Sequence, residues 1–392
     1  MFRHVIRTCI GMGLICGLAA VAASAQTFTV LYSFTGGADG GFPYANVIVD
    51  HAGNVYGTTY LFGGSGGFGT LFKIDPQGNE TTLHVFGTSQ PPDDGAGPQT
   101  ELVEDEAGNL YGAVGGGGAN NTGMVFKLDG RGEYSVLYSF PSSGGGPSSG
   151  LILDKSGMLY GTTQGGGSGF GTIYQITKEG AETVLYSFRG PTADGAGPCG
   201  NLLRTESGAL YGTTAVGGAH NFGTVFRLSK EDVNRTLFSF AGGKAAGQNP
   251  CSGLVRDVRG NLYGTTPNVP TFPPPTTNGT IFKIARDGTH TVVHAFTGGA
   301  DGGDPKSGLA IDRAGNLYGT TCSGGAHNAG TVYRLNRRGV LKVLHSFTGS
   351  ADGSCAVAGV TLDEDGNLYG AAGGGGSAGW GTIFKLTLHH DD

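Results

Sequence analysis

Three sets of side chains in this chain could carry chemistry: histidines, Asp-Gly loops and cysteines. Histidine is the usual metal ligand and general base near neutral pH. His84, His294 and His345, however, stand where parallel stretches have Tyr32, Tyr138, Tyr186 and Phe238, so they read as packing substitutes. His220 and His327 each sit in a Gly-Gly-Ala-His-Asn stretch, in two separate copies of one pattern. They are candidate ligand contacts, but a shared metal would need both within about 2 Å of one ion, and no metal site is assigned. Asp39, Asp94, Asp194, Asp301 and Asp352 each precede glycine. Carboxylates with neighbouring carbonyls suit calcium, and Asp-Gly is equally an ordinary turn. The turn reading is preferred, and calcium is the one cofactor left open. No H-E-x-x-H, C-x-x-C, phosphate loop or G-x-S-x-G occurs, so no catalytic residue is assigned.

Aromatic side chains offer a different chemistry. Phe68, Phe170, Phe222 and Trp380 each lie two residues before the threonine of a recurrent β-like run. Rings on loops could stack on sugars or anchor a protein partner, or they could plug gaps in the scaffold. Both readings stand at this stage.

The elements that must position these groups repeat. Gly150 to Phe188 contains four short β-like runs, each bounded by Gly, Asp or Ser. The second run recurs with its tyrosine at Tyr56, Tyr111, Tyr160, Tyr211, Tyr263, Tyr318 and Tyr369. A spacing of about 50 residues means a propeller, solenoid or array. Thr27–Phe34 is a fourth-type run that precedes any first-type run, and the last copy lacks its fourth. A ring closed by its own first strand explains both ends, whereas a linear array would leave bare edges. The predicted fold is therefore all-β: a single seven-bladed β-propeller of four-stranded blades over residues 26–392, closed by the N-terminal strand.

Between the first and second runs the chain reads DHAGN, DEAGN, DKSGM, TESGA, DVRGN, DRAGN and DEDGN, the signature of short hairpins. The other connections are glycine-rich and differ from copy to copy, and Thr266–Asn278 is rich in proline. In an up-and-down blade, the second-to-third and fourth-to-first loops share one face. Recurrent aromatics, Phe or Tyr in the third run and Phe at the end of the fourth, are predicted to pack sheet against sheet.

Composition narrows the function. Arg3 and Arg7, an apolar Ile10–Ala22 stretch and Ala23-Ser24-Ala25 form a leader over residues 1–25, too short to span a bilayer. Bulky Ile15 before Cys16 argues against a lipoprotein, and the polar His389–Asp392 end predicts no anchor there. The chain carries a net charge of −6 and no basic run, which speaks against nucleic-acid and anionic-membrane partners. Its 78 glycines recur in register and so belong to turns, not to disorder. Beyond the leader, Cys199, Cys251, Cys322 and Cys355 remain, an even number for an oxidising compartment. Cys199 and Cys251 follow Pro198 and Pro250 at matching positions of neighbouring copies, so the expected pairs are Cys199–Cys251 and Cys322–Cys355.

The run Asn-Leu-Tyr-Gly-Thr-Thr, a glycine-rich loop, then Gly-Thr-[Val/Ile]-[Phe/Tyr]-[Lys/Arg]-[Leu/Ile], then Val-Leu-Tyr-Ser-Phe and a TGGADG loop resembles the GloVer repeat of secreted bacterial proteins. It is clearest at Asn316–Leu335 and Asn367–Leu386, with Phe34–Gly40 and Phe296–Gly302 for the loop. The resemblance implies an exported propeller and transfers no catalytic residues. The expected function is an exported, non-enzymatic binding scaffold, secreted or periplasmic and monomeric. Its glycine- and aromatic-rich loop face would take a carbohydrate or protein ligand. The alternative is a propeller hydrolase or lyase working at the mouth of the central channel.

Overall fold

The computed structural model describes residues 26–64, 67–88, 93–243, 247–267 and 278–388. The leader and most of the proline-rich loop lie outside these residues. Seven antiparallel sheets follow one another around a ring, each built from four strands running outward from the centre. The third blade is typical: Ile152–Leu153, Leu159–Thr163, Thr172–Ile176 and Glu182–Ser187, paired in that order. The fourth blade carries one more short strand, Ala196–Pro198, beside Leu210–Val216. Among the described residues there is no helix.

Thr27–Ser33 pairs antiparallel with Thr382–Thr387, from Thr27 opposite Thr387 to Ser33 opposite Thr382. The first strand of the chain is thus the outer strand of the last blade, and the ring is closed as the strand count predicts.

Seven apolar clusters hold the ring, one at each blade junction. Every junction contains the same ring pair. The phenylalanine ending one blade meets the third-strand aromatic of the next edge-on, from Phe34–Phe72 at 5.1 Å to Phe347–Phe384 at 5.4 Å. Edge-to-face geometry suits the ring quadrupole. Glycine in the Leu-Tyr-Gly run makes room for it: a Cβ on Gly161 would meet the Tyr174 ring at 2.6 Å. The register slips once between the third and fourth strands of every blade, as at Ile173/Tyr174. This bulge leaves one apolar residue unpaired (Leu185 in the third blade), and it packs against the junction cluster.

Hydroxyls add polar ties between blades. Ser148 donates to the Pro198 carbonyl (2.6 Å), Thr265 to Ser307 (2.7 Å) and Thr361 across the closing seam to Val47 (2.6 Å).

Candidate functional site

The two faces of the ring are built differently. On the hairpin face, aspartate closes the turn between the first and second strands in every blade but the fourth. Asp50 accepts hydrogen bonds from the Ala52 and Asn54 amides and from the Asn54 side chain, and its second oxygen also takes the Tyr56 hydroxyl. Burial pushes the Asp50 carboxyl up, but these donors outweigh it and hold it below the usual range. Asp105 and Asp257 repeat the arrangement, and Asp154 repeats it without the carboxamide because Met158 stands in place of the asparagine. Thr205 replaces the carboxylate in the fourth blade and accepts none of these bonds from Tyr211, a tyrosine with no such partner among the described contacts.

On the loop face, each predicted aromatic lies over a left-handed glycine of its own blade. A Cβ on Gly36, Gly87, Gly190 or Gly242 would fall between 2.2 and 2.9 Å from the ring of Trp380, Phe68, Phe170 or Phe222. Phe68 and Phe170 still expose 40% and 38% of their surface. Phe222 and Trp380 are half-buried against junction clusters. The four rings are not brought together: no ring contact joins any two of them among the described residues. His220 and His327 are exposed in loops of the fourth and sixth blades.

The Asp-Gly loops are occupied turns. Asp39 accepts from the Thr35 amide (2.7 Å) and the Tyr32 hydroxyl (3.0 Å). Asp352 does the same with the Thr348 amide and with His345 Nε2 at 3.0 Å. His294 meets Asp301 at 3.1 Å. The histidines standing in tyrosine positions therefore serve the same carboxylates that tyrosine serves elsewhere. Burial lowers the pKa of His345, and Asp352 only partly offsets it. Among the described residues, no three His, Cys, Asp or Glu side chains gather as a metal-binding group.

Cys199 and Cys251 are paired, their Cα atoms 5.1 Å apart, well inside the reach of a disulfide. Cys322 and Cys355 form the second pair, between the sixth and seventh blades. Both pairs lie on the loop face, and Cys199 and Cys251 line the mouth of the central channel.

The channel is a cavity of about 1340 Å³ lined by the inner strands of all seven blades. Aligned copies place one residue of each inner strand at the same level. Four are glycines, and the others are Asn46, Glu101 and Asn201. Asn201 Nδ2 donates to Glu101 Oε2 (2.5 Å), and Asn46 Nδ2 approaches Glu101 Oε1 at 3.4 Å. Asn201 in turn accepts from the Gly150 amide at 2.7 Å. Asn46 Oδ1 is buried and has no partner. Burial pushes the Glu101 carboxyl above its ordinary range, and the two carboxamides pull it back in part.

A second group sits at the closing seam, where the seventh blade meets the first. Phe62 packs edge-on to Trp380 at 4.7 Å, and Phe42 to Trp380 at 5.1 Å. Phe42 continues to Tyr44 and Tyr44 to Tyr60, both at 5.7 Å. All five rings are half-buried, and Tyr44 also lines the channel. The reading of the sequence found Trp380 alone of these five, and it missed Glu101, Asn46 and Asn201. The signal was present in the aligned copies. Three blades place Asn46, Glu101 and Asn201 where the other four have glycine, and the first blade alone places a phenylalanine at 42 and at 62.

No curated protein matches the chain. Solved structures match its fold. The extracellular domain of one hybrid two-component system of B. thetaiotaomicron aligns with a TM-score of 0.60 and 13% identity, covering 91% of this chain and 39% of that one. A second such domain from the same organism aligns with a TM-score of 0.58 and 12% identity, covering 92% and 41%. The chain thus spans about two fifths of the length of these proteins, and at this identity the likeness is one of fold. The family model of the Gloeobacter/Verrucomicrobia repeat matches residues 12–168, 128–310 and 246–392, and with those matches spanning nearly the whole sequence, the chain belongs to the Gloeobacter/Verrucomicrobia repeat family.

Proposed function

We infer that this protein is an exported binding domain that holds its ligand on the loop face, over the mouth of the central channel. The observation that carries the reading is the contrast between the two faces. Hairpin turns repeat one hydrogen-bonded design from blade to blade. The loop face varies in length, ring content and disulfides, and function resides on such loops held by a rigid scaffold. The exposed rings of Phe68 and Phe170 extend that face outward. Export is supported by the leader-like residues 1–25, by two cysteine pairs, and by fold neighbours that are extracellular domains. Among the described residues no helix is long and apolar enough to cross a membrane.

One observation favours a second reading. Glu101 is a buried carboxyl with a raised pKa inside the channel, the state of a general acid. Glycoside hydrolysis uses two carboxyl groups, and the hydrogen-bond partners of Glu101 are carboxamides. This favours binding over turnover.

The experiment is hydrogen exchange on the leader-free protein, with ligands found on glycan and peptide arrays. Protection confined to loop-face segments such as 35–46, 60–64 and 373–381 is expected. Protection on the hairpin face instead, or steady product formation from a bound compound, would overturn the reading.

A further inference from the structure

We propose that the aromatic cluster at the closing seam, together with the Glu101 group beneath it, is a binding site for a neutral saccharide. This rests on the loop-face reading above and narrows it to one place and one ligand class.

The first argument is backbone conformation. Phe62 has φ = 69° and Phe42 has φ = 59°, both in the left-handed region. Bulky side chains avoid that region, and glycine enters it freely. The other blades behave accordingly. The position of Phe62 is filled by Gly117, Gly166, Gly217, Gly324 and Gly375, all with positive φ. The position of Phe42 is filled by Gly97, Gly197, Asn249, Asp304 and Cys355 with positive φ, and by Gly146 of the third blade without it. Five of the other blades thus hold a left-handed residue at the Phe42 position, and five at the Phe62 position among the described residues, served by glycine or a small side chain. Only the first blade puts a phenyl ring there. Strain of this kind gathers at ligand clamps, where the surroundings hold it in place.

The second argument is placement. The two strained rings, Tyr44, Tyr60 and Trp380 form one half-buried wall, and Tyr44 carries it into the channel. Two residues after Tyr44 lies Asn46, whose Nδ2 approaches the Glu101 carboxyl and whose Oδ1 is buried and unpartnered. A smaller hollow, walled by Gly115, Gly145, Gly146, Gly165 and Gln164, adjoins the mouth and shares Ser148 and Cys199 with the channel. Its glycines bring backbone polar groups near the surface.

The third argument is ligand chemistry. A binding site of this kind pairs apolar and aromatic walls with a few convergent polar groups. A pyranose is built to match: one face of C–H bonds for the rings, and hydroxyls at the edge that both donate and accept. Asn46 Oδ1 needs a donor, and Glu101 and the carboxamides offer both roles. Charge selects against an acidic sugar. Lys306, a cation at the mouth, is already paired with Asp304 at 3.1 Å, which weakens its pull on a carboxylate.

Trp380 is the only tryptophan in the chain, so its emission reports this site directly. The test titrates leader-free protein with cello-, xylo- and manno-hexaose, and with trigalacturonate as the acidic comparison, following Trp380 emission and its quenching by acrylamide. Expected is a saturable spectral change and slower quenching with at least one neutral hexaose, and neither with trigalacturonate. Phe42→Gly and Phe62→Gly install the residues that other blades already carry. They should leave the melting temperature within a few degrees of wild type and weaken binding at least tenfold, while Phe170→Ala weakens it less than twofold. The proposal is overturned if no neutral hexaose alters Trp380, if trigalacturonate binds as well, or if Phe170→Ala costs as much as Phe62→Gly. The quenching measurement needs no variant and decides the matter even if both glycine variants unfold. Loop-face protection by a peptide with no response to saccharides would sink this site and leave the binding reading standing. Protection on the hairpin face would remove both.

Discussion

Single residues in a repeat protein can be judged against their own copies. Tyr174 and Tyr333 stand where the other five blades have phenylalanine, and their hydroxyls are buried without a partner. Burial drives both well above the ordinary tyrosine range. An unmet buried hydroxyl costs about 1–3 kcal/mol, so Tyr174→Phe should raise stability by about 1 kcal/mol. Chemical denaturation of the two proteins measures it. A loss of stability would mean that the hydroxyl has a partner, such as a bound water. Phe42 and Phe62 invert the pattern, since there the copy that departs puts the larger and more strained residue in place. Histidine in the fourth strand teaches caution of another kind. His294 and His345 have real carboxylate partners at 3.1 and 3.0 Å, yet the same geometry recurs with tyrosine at Tyr32. The partner is part of a turn, and no histidine chemistry need follow.

Elements explain why the loops can vary at all. Each blade is held from within by its ladder and from both sides by junction clusters, so the loop-face connections carry little of the fold. The cysteine pairs join loops of neighbouring blades. Thiol titration of denatured, unreduced protein should find none of the four cysteines Cys199, Cys251, Cys322 and Cys355 free. Four free thiols would refute both bonds. In reduced protein the loop face should become more susceptible to proteolysis, because loop closure is lost in that region first.

The whole molecule depends on its first strand. Without Thr27–Ser33 the last blade presents an open edge at Thr382–Thr387, and Phe34 is removed from the seam junction with Phe72. Deleting residues 27–34 while keeping the leader should give aggregation or loss of a cooperative melting transition. Unchanged melting would show that the ring closes by other contacts. The seam is also where the proposed saccharide site lies. Its rings come from the loop following the first strand, from the first blade and from the last blade, so closure of the ring and assembly of the site are one event.

Much was legible in the sequence because a repeat states its own alignment. Seven tyrosines in register, a spare strand at the start and a missing one at the end determined the blade count and the closure. Periodic turns and phenylalanines determined which residues meet at the junctions. These are local signals repeated seven times, so no single ambiguity could mislead. The site was harder to read for the opposite reason. Phe42, Tyr44, Tyr60, Phe62 and Trp380 lie at the two ends of the chain and are joined only when the ring closes. Asn46, Glu101 and Asn201 come from three blades and meet only because the ring brings their inner strands around one channel. A left-handed φ under Phe42 or Phe62 is not written in those residues themselves and shows only against copies that mostly carry glycine or a small residue there. Spacing along the chain determined the scaffold; proximity across it, which only the tertiary structure decides, made the site.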